Sequence, residues 1–91
     1  MRGKIYSGPV ELRIFSCERP VFAGEVQAVF AKTPLGWFGI LPHHAPAVFL
    51  LRDSPVRVKL AEGEKLFHVK GGVLRVRENR VTIVAAEVRH A

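Results

Sequence analysis

The sequence predicts an all-β domain, on three observations. Apolar and polar residues alternate with period two in run after run, the pattern that buries one face of a strand and wets the other. Turn-forming clusters separate these runs at the roughly 8–12-residue spacing of antiparallel sandwiches and barrels. No segment of about ten residues carries the 3.6-residue periodicity of a helix. The expectation is a single small antiparallel β-sandwich or barrel.

In chain order, Ser7-Gly8-Pro9 breaks the chain before a first strand in which Leu12 and Ile14 alternate with Glu11, Arg13 and Phe15. Arg19-Pro20 is the next break, and Val26 to Phe30 read as a further strand. Lys32-Thr33-Pro34-Leu35-Gly36 is a turn signal, followed by a glycine-bounded loop carrying Trp37 and Phe38. Of that bulky pair, Phe38 is expected to turn into the core and Trp37 to stay available for contact, since exposed Trp is enriched at interfaces. Asp53-Ser54-Pro55 then breaks the chain ahead of Val56–Leu60, where Val56, Val58 and Leu60 alternate with Arg57 and Lys59. Two short hairpins follow. Glu62-Gly63 joins Val56–Leu60 to Lys65–Val69, and Glu78-Asn79 joins Gly72–Arg77 to Arg80–Ala85, with Asn79 the expected left-handed residue. Between them, Gly71-Gly72 marks a sharp bend or a close backbone approach.

Ninety-one residues make one domain, able to bury roughly 60–65% of the unfolded chain's surface. A hydrophobic fraction of 48% supports a folded globule. No apolar run approaches the ~20 residues of a membrane span, and the N-terminus lacks a signal-peptide core. Lone Cys17 excludes an internal disulfide. The net charge of +6 and pI of about 10.3 fit an anionic partner, although the basic residues form no tract.

The segment Gly39-Ile40-Leu41-Pro42-His43-His44-Ala45-Pro46 is the most distinctive of the chain. Pro42 and Pro46 fix their own φ and remove two backbone donors, so neither a helix nor a central strand runs through it. The result is a rigid corner, either a hinge of the fold or a surface on which something docks. Adjacent His43 and His44 point to opposite faces of extended backbone, a poor geometry for one metal, and no metal or cofactor is expected. Ser7, Ser16, Ser54 and Cys17 have no local nucleophile context, and the few acids sit in turns or on polar strand faces. No catalytic residues are therefore assigned. One binding function remains as the alternative, a small basic β-barrel for single-stranded nucleic acid. Arg57, Lys59, Arg75 and Arg77 would supply its basic face, while Phe15, Phe22, Phe30, Phe49 and Phe67 are expected in the core rather than as stacking platforms.

Taken together, the signals resemble the epsilon subunit of F-type ATP synthase, specifically its N-terminal β-sandwich. The match runs from Glu11–Phe15 through Val21-Phe22-Ala23-Gly24-Glu25-Val26 to Phe38-Gly39-Ile40-Leu41-Pro42 and His44-Ala45-Pro46. It ends with Lys70-Gly71-Gly72-Val73-Leu74-Arg75-Val76 and Arg80-Val81-Thr82-Ile83-Val84-Ala85, and covers about residues 10–87. The resemblance implies a flattened sandwich of about ten short strands in the central stalk of the rotary enzyme. It implies a non-catalytic rotor subunit that links the gamma subunit to the c-ring and helps couple proton flow to ATP synthesis. It also implies peripheral placement at the cytoplasmic face of the bacterial membrane, with membrane contact only through the c-ring and no homo-oligomer. By position, Pro34, Leu35, Trp37, Pro42, His43, His44 and Pro46 would lie in or near the rotor contacts, one end of the sandwich facing the c-ring and a broad side facing gamma.

The chain departs from the family pattern in three places. His43 stands where the family has glycine. Leu35 and Trp37 stand where it carries acidic and small polar residues, so apolar packing replaces an acid-to-Arg contact there. The sequence stops at Ala91, just after the last strand, without the C-terminal helical hairpin of most members. Inhibition by an extending arm and nucleotide sensing are thus not expected of it.

Overall fold

A computed structural model describes residues 9–17, 19–40 and 46–90. Seven strands make up the fold: β1 (Val10–Ser16), β2 (Arg19–Val26), β3 (Ala28–Thr33), β4 (Gly36–Ile40), β5 (Ala47–Leu60), β6 (Gly63–Arg77) and β7 (Arg80–His90). They form one hydrogen-bonded sheet in the order β2-β1-β7-β6-β5-β3-β4.

That sheet is folded over on itself. The ladders of the three long strands are interrupted at Arg52, Gly71 and Ala86, three residues that stand side by side in register. On either side of this line the inward-facing residues switch parity. In β5 the buried positions run Leu51, then Ser54, Val56 and Val58; in β6 they run Phe67 and Val69, then Gly72, Leu74 and Val76. One layer therefore holds β2, β1 and the near halves of β7, β6 and β5. The other holds the far halves of β7, β6 and β5 together with β3 and β4. The expected ten short strands are in fact seven, because three strands continue through the fold line and serve both layers; counted once per layer they give ten segments. The backbone at Gly71 makes the turn possible with φ +61°. Beside it, a Cβ on Gly72 would sit 2.8 Å from the Ala85 Cβ, so the predicted bend and close approach are both present.

A single core lies between the layers. Leu12, Ile14, Leu74, Val81 and Ile83 from one side meet Val29, Val56, Val58, Phe67 and Val69 from the other. Phe22 meets Phe67 edge-on across it, with centroids 5.9 Å apart. The shape is flattened, 41 × 27 × 21 Å.

The antiparallel expectation holds for every ladder but one. β1 and β7 run parallel, Leu12 opposite Val81 and Ile14 opposite Ile83. The pairing joins the first strand to the last, and local turn chemistry carries no information about such a contact. Asp53-Ser54-Pro55, expected as a break, lies within β5 just past the fold line. Pro55 sits one residue beyond the end of the β3 ladder at Val56, so its missing N–H interrupts no β3 pairing. Both predicted hairpins form, but the first turns at Ala61-Glu62, one residue earlier than expected, with Gly63 opposite Leu60; at the second not only Asn79 (φ +63°) but also Glu78 (φ +51°) is left-handed. That is the type I′ geometry suited to two-residue hairpins.

Candidate functional site

The segment read as a loop around Trp37 is a strand. β3 and β4 form a hairpin with Thr33 opposite Gly36, leaving Pro34 and Leu35 as a two-residue tip. The Thr33 hydroxyl organises the tip by accepting from Leu35 N–H at 3.2 Å and donating to the Gly36 carbonyl at 3.0 Å. Leu35 is thereby thrown into solvent, 99% exposed. Period two then sends the two aromatics to opposite faces, as expected. Phe38 turns inward and stacks on Phe49, centroids 4.1 Å apart and rings 22° from parallel. Trp37 faces outward and is 49% exposed.

Around this tip the surface is apolar. Thr33, Pro34, Leu35, Trp37, Phe38, Phe49 and Leu50 line an open depression of about 470 Å³. Val48 and Leu50 point outward on β5, 64% and 72% exposed. The near half of β5 is an edge of its layer, and Pro46 sits immediately before it, exposed. Exposed apolar side chains gathered at a sheet edge are uncommon on isolated soluble domains and mark places where another surface docks. Of the residues assigned to rotor contacts, Pro34, Leu35 and Trp37 are thus brought together, whereas Pro46 lies apart from them, beside Arg75 and Arg77. Pro42, His43 and His44 lie outside the described residues. Sequence reasoning missed Val48 and Leu50, although Ala47-Val48-Phe49-Leu50-Leu51 alternates about Phe49 and carries no charge.

Three outward residues of the second layer frame Trp37. Arg57 on β5 stands opposite Phe30 on β3, which stands opposite Gly39 on β4. The Arg57 guanidinium lies 5.4 Å from the Phe30 ring centre and 5.6 Å from the Trp37 ring. These are cation–π distances. Phe30 in turn lies over Gly39, where an added Cβ would come within 2.8 Å of the ring. Gly39, in the most distinctive motif, is therefore glycine because Phe30 occupies its side-chain space.

The basic face imagined across β5 and β6 is not formed. Arg57 and Lys59 lie in one layer while Arg75 and Arg77, beyond Gly71, lie in the other. Arg75, Arg77, Arg80 and Thr82 gather at the β6–β7 end instead. There, Glu11 accepts from Arg80 at 3.1 Å and pairs with Arg13 at 2.9 Å, and these bonds hold its carboxyl below the ordinary value of 4.5. On the second layer's outer face, Asp53 pairs with His68, which together with neighbouring Lys70 lowers the Asp53 pKa. Among the described residues, no three His, Cys, Asp or Glu side chains gather as a metal site. No described helix is long and apolar enough to cross a membrane.

Comparison with known proteins decides the family. Residues 9–91 match the model for the ATP synthase delta/epsilon chain β-sandwich domain. The chain belongs to that family. It is 42% identical over 73 residues to the ATP synthase epsilon chain of Acinetobacter baylyi, covering 79% of this chain and 52% of that one. With the epsilon chain of Nitrosococcus oceani it shares 39% identity over 79 residues, 86% and 56% of the two chains. It thus spans about half the length of these relatives. The fold is that of a chain in the Euglena gracilis mitochondrial ATP synthase (OSCP/F1/c-ring), with TM-score 0.82 at 21% identity, covering 99% of this chain and 57% of that one. A chain in the Tetrahymena thermophila mitochondrial ATP synthase central stalk/c-ring matches at TM-score 0.72 and 16% identity, over 87% and 64%.

Proposed function

We propose that this chain is a non-catalytic module of the central stalk of an F-type ATP synthase, linking the gamma subunit to the c-ring and helping couple proton flow to ATP synthesis. Family membership supports this assembly. The observation that supports the docking role is the apolar depression around Pro34, Leu35 and Trp37, bordered by Phe49 and the exposed Leu50. In this reading the end that bears it meets the c-ring and a broad side meets gamma, with the corner residues Pro42, His43 and His44 in the same contact zone. The module sits peripherally on the cytoplasmic face of the membrane, and it touches lipid only through its partners. It needs no cofactor and no second copy of itself. Separation of the four cations between two layers argues against the nucleic-acid alternative, which requires them along one groove.

Capture tests the reading. The immobilised chain should retain a gamma subunit and a detergent-solubilised c-ring, while its binding to single-stranded oligonucleotides stays weak at all salt concentrations. Tight oligonucleotide binding that falls steeply with salt, with no capture of gamma, would overturn it.

A further inference from the structure

The docking reading leaves open how a half-exposed indole is held ready. An unsupported surface Trp samples several rotamers, and a partner must pay to freeze it. Here the ring is not unsupported. Gly39, Phe30 and Arg57 stand in one cross-strand row on β4, β3 and β5, and the Arg57 guanidinium reaches past Phe30 to within 5.6 Å of the Trp37 ring centre. The missing side chain at Gly39 gives the Phe30 ring its seat, since any Cβ there would press on it at 2.8 Å. Glu64 lies 3.9 Å from the Arg57 Nε, on the neighbouring strand β6. Arg57 thus has an aromatic ring and a carboxylate beside it and lies within cation–π range of a second aromatic ring, a setting suited to a guanidinium.

We propose that Arg57 is the positioning residue for Trp37: seated on Phe30, its guanidinium holds the indole in a half-exposed pose preorganised for docking. The inference rests on the reading of Trp37 as a contact residue and adds a determinant 20 positions away in the chain. It also gives the distinctive motif a second role, because Gly39 acts on the docking edge through Phe30.

Trp37 is the sole tryptophan, so its fluorescence reports the contact directly and without any partner. In the whole chain, Arg57→Met should lower the anisotropy of the indole and raise its quenching by neutral acrylamide about two- to fivefold, the scale of one exposed cation–π contact. Arg57→Lys should restore only part of the effect. Gly39→Ala offers an independent route, displacing Phe30 and loosening the indole with Arg57 still present. Unchanged anisotropy and quenching in Arg57→Met would overturn the proposal. Capture of gamma and c-ring separates the remaining outcomes. Loss of capture by Arg57→Met in step with the loosened indole supports the positioning role. If the indole loosens, and Trp37→Ala abolishes capture while Arg57→Met leaves it intact, Arg57 does not position Trp37 for docking and the docking reading stands. If Trp37→Ala itself leaves capture intact, the docking reading fails and the positioning role fails with it.

Discussion

Two hairpin turns of equal length are put to opposite uses. The β6–β7 turn, Glu78-Asn79, is polar and stitched back into the fold. Its Asn79 amide donates to the Pro9 carbonyl at 2.6 Å, and its carbonyl accepts from the Glu11 N–H at 3.1 Å. The β3–β4 turn, Pro34-Leu35, is apolar, and among the described residues its side-chain hydrogen bonds are those of Thr33 within the turn. One turn uses its chemistry to hold the first strand beside the last. The other closes on itself and leaves Leu35 and Trp37 unspent. An apolar turn with such exposed side chains is what the proposed docking role would need.

This contrast can be broken at either turn. The largest expected effect is on capture: Trp37→Ala should weaken binding of rotor partners by about 2 kcal/mol, near thirtyfold, as loss of an interface anchor does. Unfolding stability should fall by no more than about 1 kcal/mol, the value of an exposed cation–π contact. A stability loss of several kcal/mol in denaturant would make Trp37 a core residue and erase the distinction. At the other turn, Asn79→Ala should show the reverse pattern. It removes the bond to Pro9 and places alanine in the left-handed region, at a cost of about 1–2 kcal/mol. For a domain of this size that is a fall in Tm of roughly 4–16 °C, with capture unchanged. Leu35→Ser sharpens the comparison further. Calorimetry should find its Tm within about 2 °C of the parent, since surface substitutions rarely exceed ±0.5 kcal/mol, while capture weakens severalfold.

The smallest effect concerns pH. Glu11 beside the polar turn has its pKa lowered by Arg80 and then Arg13, and Asp53 by His68. Both folded values lie below the unfolded ones, so the unfolded chain binds more protons through this window. Their stabilisation is therefore present above the ordinary carboxylate values of 4.5 and 3.8 and is lost as pH falls through the lowered folded values. Urea midpoints should decline on acidification across that range, and Glu11→Gln should flatten part of the slope. An unchanged slope would remove Glu11 from the stitching at the polar turn.

Much of this was legible in the chain. Period-two alternation placed the strand cores of β1, β5, β6 and β7, and Gly71-Gly72 located the fold line. Of the bulky pair Trp37 and Phe38, the enrichment of Trp at interfaces put Phe38 inside and Trp37 outside, although the strand that sends them to opposite faces reads from the sequence as a loop. What stayed hidden depends on register. Arg57 and Phe30 are far apart in sequence and meet only because Ala28 pairs with Lys59. The parallel β1–β7 ladder joins the two ends of the chain. The basic face failed for the same reason: β5 and β6 pass through the fold line, so Arg57 and Lys59 lie in one layer and Arg75 and Arg77 in the other.

The three strands that cross this line have a further consequence. Because β5, β6 and β7 belong to both layers, neither layer has a boundary along which it can separate and melt alone. The protein should therefore lose its structure in one cooperative step, with amide exchange on the two sides of the core reporting the same global opening. Folding should be slow for so small a chain, since the layers close only after the first strand finds the last.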